Sequence, residues 1–467
     1  MHSRAGLYVV SFLLLAGCAS DKPTPTPTPS SPDGGAVDEC PEPTGTGMTH
    51  QGFIEEDETW TAKDSPHHVT FNVEVRGAKL TIEPCAKVVV DEGYYISVGQ
   101  HSGDPASLVA KGEVSGEVER PITFTSAADD EWWSGLSALA TGKLELANAI
   151  VSRAGHGNGN GVGHPSAIMA YGDDNRKKVI ANVSLKQVVI ADSANLALSA
   201  MASGGFTEDS SNVFVSGAGT QGTRSGNVLT TYPVYVEAPA IHTLPEGSYT
   251  YNAVPKILIM APFILETDET IPERGVPYQM VGEFIMRPAS ATPTKLTIEP
   301  GVTLAFGGKD FTAATGMVLG DDDKPLQLIA NGTAEKPITL TSGAESPAAG
   351  DWSGLWWDVA PSSGNVLRHV TFEYAGGESA TKGFGCGPAD NDALLFLGWA
   401  PSDAFIEDST FRDSAAGGIV SGWGSGESGP DLHGSNTFDA IANGCFVSKP
   451  RDEDGACPGD GTSPACY

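Results

Sequence analysis

The sequence predicts an all-β chain, a parallel β-helix solenoid built from two duplicated units behind a disordered N-terminal linker, and three observations carry that expectation. Apolar and polar residues alternate over runs of four to six, punctuated by Gly, Pro, Asn and Asp, which is the pattern of half-buried strands and turns. The strands recur about every 20 residues without hairpin dipeptides between most of them. Each strand is therefore expected to pair in parallel with its equivalent one coil on. The chain also repeats itself: KLTIEP stands at Lys79–Pro84 and again at Lys295–Pro300, an offset of 295 − 79 = 216.

Before the repeats comes a leader. Arg4 precedes an apolar run from Leu7 to Leu15, and small residues lead to Cys18. A permanent membrane helix needs roughly 20 apolar residues, so residues 1–17 read as an export signal. Leu15, Ala16, Gly17 and Cys18 resemble the lipobox of bacterial lipoproteins. That resemblance implies lipidation of the Cys18 thiol and a membrane partner held through the lipid anchor. Ala19, where an Asp would favour retention, implies the outer membrane. Residues 18–50 continue with Pro and Thr alternating over Pro23–Pro29, a composition that buries no core and stays semi-extended at about 3.1 Å per residue.

The body has 57 Gly and 32 Pro and only 18% charged residues, favouring turns and extended segments over long helices. A formal charge of −31 repels nucleic acid and anionic lipid, so no nucleic-acid partner is expected. The duplication extends beyond KLTIEP. Pro121, Ile122 and Thr123 recur as Pro337, Ile338 and Thr339; Trp133, Ser134 and Gly135 recur as Trp352, Ser353 and Gly354; Asp192 and Ser193 recur as Asp413 and Ser414. These matches place the first unit at 51–235, a connector at 236–261, the second unit at 262–450 and a Cys-containing tail at 451–467. Within the units, inward positions are expected at Val88 and Val90, Ile122 and Phe124, Leu144 and Leu146, and in the second unit at Leu304, Phe306, Ile338 and Leu340.

The order LTIEPG, GTAEKPITLTS, DWSGLWW and VLRHVTFEYAGG over Leu296–Gly377 resembles the right-handed parallel β-helix repeats of bacterial cell-surface lipoproteins in the pectin-lyase-like superfamily. The first unit diverges more: Cys85 stands where the second has Gly301, and Val151, Ser152 and Arg153 stand where it has Phe372, Glu373 and Tyr374. The resemblance implies the fold. It implies little about activity, because one fold hosts lyases, hydrolases and inert stalks.

Six cysteines besides Cys18, namely Cys40, Cys85, Cys386, Cys445, Cys457 and Cys466, suit disulfides in an oxidising compartment. The pairing expected is Cys40 with Cys85, Cys386 with Cys445 and Cys457 with Cys466. No Cys/His spacing points to zinc.

Candidate chemistry is sparse. Trp132, Trp133, Trp352, Trp356 and Trp357 are the candidate carbohydrate contacts, since an exposed ring stacks on a sugar, although recurrence of Trp-Ser-Gly in both units suits an interior packing role as well. Asp192 and Asp413, like Glu83 and Glu299, are read as turn residues. The acids Asp321–Asp323, with Asp390 and Asp392, offer oxygen ligands that would suit calcium, but lack the register of a known calcium loop. His156 and His164 bracket a Gly/Asn run without a third ligand. No other cofactor and no catalytic set is evident. The expected function is a non-catalytic binding or scaffolding role at the cell surface, toward extracellular polysaccharide or another surface protein. The alternative is a polysaccharide lyase or hydrolase. A groove with acids and Arg or Lys on adjacent coils would favour the enzyme, and an exposed aromatic strip would favour binding.

Overall fold

A computed structural model describes residues 40–452 and Cys466, apart from 116–117, 158–163, 174–178, 220–230, 261–266, 287–293, 308–315, 321–325, 358–360, 362, 379–391 and 425–429. Cys18, Cys386, Cys457, Asp321–Asp323 and Asp390 therefore lie outside the described residues, as does most of the Gly/Asn run.

Each coil contributes three short strands, so equivalent strands stack into three parallel columns. The coil of Lys79–Ile82, Lys87–Val90 and Tyr95–Val98 shows the arrangement: the chain returns at Ala106–Lys111, which pairs with Lys79–Ile82 in the register Leu80↔Leu108 and Ile82↔Ala110. The first column then runs through Gly142–Ser152, Ile180–Ala191 and Gly204–Phe206. Period-two alternation sends one set of side chains inward. Leu80, Leu108, Leu144 and Val183 stack at successive levels and are fully buried. Each such side chain contributes roughly 1.5–3 kcal/mol by leaving water. A small antiparallel hairpin, Glu113–Ser115 with Val118–Arg120, interrupts one coil.

The corners explain much of the recurrence in the sequence. Between the first and second columns a single residue turns the chain with positive φ: Asn148 (42°) and Gln187 (53°), then His369 (48°) and Asp408 (50°) in the second unit. Between the second and third columns Arg153, Asp192, Tyr374 and Asp413 do the same, at 53°, 54°, 63° and 55°. Such a conformation costs roughly 1–2 kcal/mol in most residues and least in Asn and Asp, which agrees with a turn role for Asp192 and Asp413. Glu83 and Glu299 are also turn residues: Glu83 Oε2 accepts from the Ala62 N–H (3.3 Å), and Glu299 Oε2 from the Glu273 N–H (2.8 Å), one coil back in each unit.

Trp-Ser-Gly recurs because it forms an interior corner. Trp133 Nε1 donates to the Ser152 carbonyl and Trp352 Nε1 to the equivalent Glu373 carbonyl, both at 2.9 Å. The following glycines have φ of 121° and 101°, and a Cβ on Gly354 would lie 2.2 Å from the Ala393 carbonyl oxygen of the next coil.

Strands Gly247–Tyr251 and Ile257–Met260 continue through the expected connector, and the pairing changes column there. The third column of the first unit reaches Ile257–Met260 by way of Val234–Val236. Ile257–Met260 then pairs with Tyr278–Val281, which leads into the second column of the second unit through Thr303–Phe306, Ile338–Ser342 and Val370–Glu373. The first column crosses the junction by a 3-10 helix, Ala238–Thr243, between Gly204–Phe206 and Glu269–Ile271. Lys256 bridges the junction, its Nζ donating to Gln279 Oε1 (2.9 Å) and the Gly343 carbonyl (3.1 Å).

Both ends are stapled. Cys40 pairs with Cys85 as the sequence led us to expect. At the other end Cys445 pairs with Cys466, which corrects the expected Cys386–Cys445 and Cys457–Cys466 pairs. Ser448 and Cys466 form an antiparallel bridge, which places the last cysteine beside the final coil. No helix of the described residues is long and apolar enough to cross a membrane.

Candidate functional site

The corner between the first and second columns carries a continuous groove over the coils from about 106 to 336. It consists of three adjoining clefts of about 240, 370 and 710 Å³. The first shares Thr207 and Asp209 with the second, and the second shares Glu246 and Arg274 with the third. The largest lies at the junction, where the strand pairing changes column.

Acids and bases from successive coils line this groove, and several are engaged with one another or with main-chain groups. Lys111 pairs with Glu145 at 2.6 Å. Lys186 pairs with Asp209 at 2.5 Å, and Thr207 donates to the same carboxylate. Those donors, Lys186 foremost, draw the Asp209 carboxyl down to about 2. Arg274 is anchored through Nε and Nη2 to the Leu244 carbonyl, at 3.0 and 2.7 Å, and through Nη1 to its neighbour's carbonyl. Glu273 accepts from the Gly275 N–H at 2.5 Å.

The centre of the groove is a dyad that sequence reasoning missed. Glu269 is buried, with its side chain 2% exposed, while the His242 ring, 46% exposed, lines the middle cleft. His242 Nδ1 lies 2.9 and 3.1 Å from the two carboxylate oxygens, and the backbone N–H groups of His242 and Thr270 donate to Oε1 at 2.9 and 3.1 Å. The bond to Glu269 raises the His242 pKa; burial raises that of Glu269. A carboxylate that accepts from Nδ1 fixes the ring and favours its protonated form.

Around the corner, on the second column, one outward row is apolar on three of these coils, beside a row that carries Ser152 and Ser216. Ile150, Val189 and Phe214 are in register across three strands. Tyr251 lies beside Phe214, with ring centroids 5.6 Å apart.

The tryptophans read from the sequence sit mostly elsewhere. Trp133, Trp352, Trp356 and Trp357 are between 0% and 4% exposed, so none offers a free ring face to a sugar. Trp352 stacks on Phe306 at 4.4 Å and Trp357 meets Phe405 edge-on. Trp356 does point away from the interior, but it stacks on Phe396 at 3.9 Å within a second apolar layer that includes Val318 and Val420. Trp132 alone of the five is half-exposed, its Nε1 donating to the Asp192 carbonyl at 3.0 Å. His164 packs edge-on against Tyr235, and burial lowers its pKa; most of the run between it and His156 lies outside the described residues. Among the described residues no three His, Cys, Asp or Glu side chains are placed to hold a metal ion.

Residues 265–383 match the family model of the pectate-lyase-like β-helix domain, which falls within the second unit. No curated protein and no solved structure matches the chain.

Proposed function

We propose that this pectate-lyase-like β-helix belongs to a lipid-anchored surface protein of the outer membrane, held by Cys18 and the Pro/Thr-rich linker, and that it binds extracellular polysaccharide without acting on it. One observation carries the reading: the polar groove and an exposed aromatic strip share the same coils, which suits a ligand with both hydroxyls and apolar ring faces. The state of the groove acids supports binding over catalysis. Asp209, Glu145 and Glu273 are taken up by ion pairs or backbone N–H groups, whereas a general acid or base needs an available proton site near the operating pH.

The His242–Glu269 dyad favours a second reading, a hydrolase or lyase, because an oriented imidazole in a cleft is competent for proton transfer. A panel of neutral and anionic polysaccharides separates the two. The expected result is retardation of the protein in affinity gels with no new reducing ends or unsaturated products. Product formation that is lost in His242→Gln would replace the binding reading with the catalytic one. The anchor is tested by Cys18→Ser, which is expected to release the protein from the membrane fraction.

A further inference from the structure

The duplicated units offer an internal comparison for the outward face of the second column. In the second unit its rungs are Thr303, Thr339, Thr371, Thr410 and Thr437, five threonines in register. In the first unit Thr123 matches Thr339, but the next three rungs are Ile150, Val189 and Phe214, where the second unit has Thr371, Thr410 and Thr437. Threonine is the solvated solution to this position, since it suits a strand and leaves a hydroxyl in water. The first unit departs from it on three consecutive coils. The departure leaves Val189 36% and Phe214 37% exposed; Tyr251, in register with Ser216 in the adjoining row, is 67% exposed and lies against Phe214.

We infer that Ile150, Val189, Phe214 and Tyr251 form a stacking subsite for the apolar faces of neutral pyranose rings, continuing the groove around the corner onto the second column. The inference rests on the polysaccharide reading and specifies its ligand. Continuity is direct: Ser211, on the Phe214 strand, lines the middle cleft, and Gly247, on the Tyr251 strand, lines the junction cleft. A polymer could therefore hydrogen-bond in the groove while its rings lie on the strip.

Size decides against a protein partner. An aromatic side chain covers about 150–250 Å², so at 37% and 67% exposure the two rings offer roughly 200 Å². A stable protein interface needs about 800 Å² per partner. A single polysaccharide strand fits the narrow strip. Charge selects a neutral one, because the strip carries no cation and a chain of net charge −31 repels polyanions.

The test grafts the second unit's solution onto the first: Ile150→Thr, Val189→Thr, Phe214→Thr and Tyr251→Ser together in the full-length protein, with circular dichroism and thermal melting to verify the fold. Affinity electrophoresis would use a neutral β-glucan and polygalacturonate, with Arg274→Ala/His242→Ala as the groove variant. The expected result is retention of wild type by the glucan and a loss of roughly tenfold in affinity in the strip variant. Wild-type affinity in the strip variant, with loss in the groove variant, would overturn the subsite and leave the groove reading standing. Retention by polygalacturonate alone would also overturn it. Failure of every polymer to bind the wild type would end both readings. A wild-type dimer that the strip variant dissolves, with sugar binding unchanged, would make the strip a self-association surface instead.

Discussion

Acid should open the first coils of the solenoid, and the reason lies in three stacked rings. His50 stacks on Trp60 at 4.1 Å and Trp60 on His67 at 5.2 Å, closing the end of the core. His67 Nε2 lies 2.8 Å from the Thr61 carbonyl, which only accepts, so that nitrogen carries a proton. In the neutral ring Nδ1 is then bare and accepts from His50 Nε2–H, 3.0 Å away. Protonating His67 sets two donors against each other. Burial, then the neighbouring His67, holds His50 down to about 4; burial likewise lowers His67. Both pKa values are depressed in the fold, so the stability they contribute is complete above pH 6.5 and is lost as pH falls from 6.5 toward the folded values. For His50 alone, a fall from 6.5 to about 4 corresponds to a loss on the order of 2–3 kcal/mol by pH 4.5. His50→Phe keeps a ring on Trp60 and removes the titration. Amide exchange of Met48–Ile54 and Glu58–Trp60 reports the opening free energy of this end, unmixed with the carboxylates elsewhere. Between pH 7.5 and 4.5 the wild type is expected to lose on the order of 2–3 kcal/mol more than the variant. Equal pH dependence in the two proteins would refute the reasoning.

Gly354→Ala should destabilise by at least about 3 kcal/mol, because it combines a φ of 101° with a 2.2 Å overlap on a main-chain oxygen of the adjacent coil; a urea titration showing under about 1 kcal/mol would contradict this account of the Trp-Ser-Gly corner. Glu269→Gln removes the anion that raises the His242 pKa, so the His242 ring should titrate at lower pH by NMR, and an unchanged titration would show that Glu269 does not control it. Reduction of the disulfides should lower the melting temperature, with Cys445→Ser accounting for part of the loss and Cys40→Ser for another, since each bond closes a loop of 21 or 45 residues; a melt insensitive to reductant would mean that neither end needs its staple.

Much of the fold was legible because a solenoid repeats its local rules. KLTIEP marks a first-column strand in both units, and each copy is fastened alike: Asp57 accepts from the Lys79 N–H and Asp268 from the Lys295 N–H, both at 2.9 Å. The site was far less legible. Trp132 and Trp133 read alike as candidate contacts although one is half-exposed and the other buried, and the pattern gave no warning that outward-pointing Trp356 lies within a second apolar layer. The strip became visible only once strand register placed Ile150, Val189 and Phe214 at the level of Thr371, Thr410 and Thr437.

The sequence by itself determined the strand periodicity, the duplication and the turn roles of Asp192, Asp413, Glu83 and Glu299, because each depends on interactions within a coil or between neighbouring copies of one motif. Tertiary structure alone decided which acids and bases meet in the groove, where the columns change partners and which cysteine Cys445 reaches. Those contacts depend on coil length, which varies: His242 meets Glu269 27 residues on, while Leu144 meets Val183 across 183 − 144 = 39. Loops absorb such differences at little cost, since closure entropy grows only with the logarithm of length, so local sequence pattern does not fix which side chains become neighbours between coils.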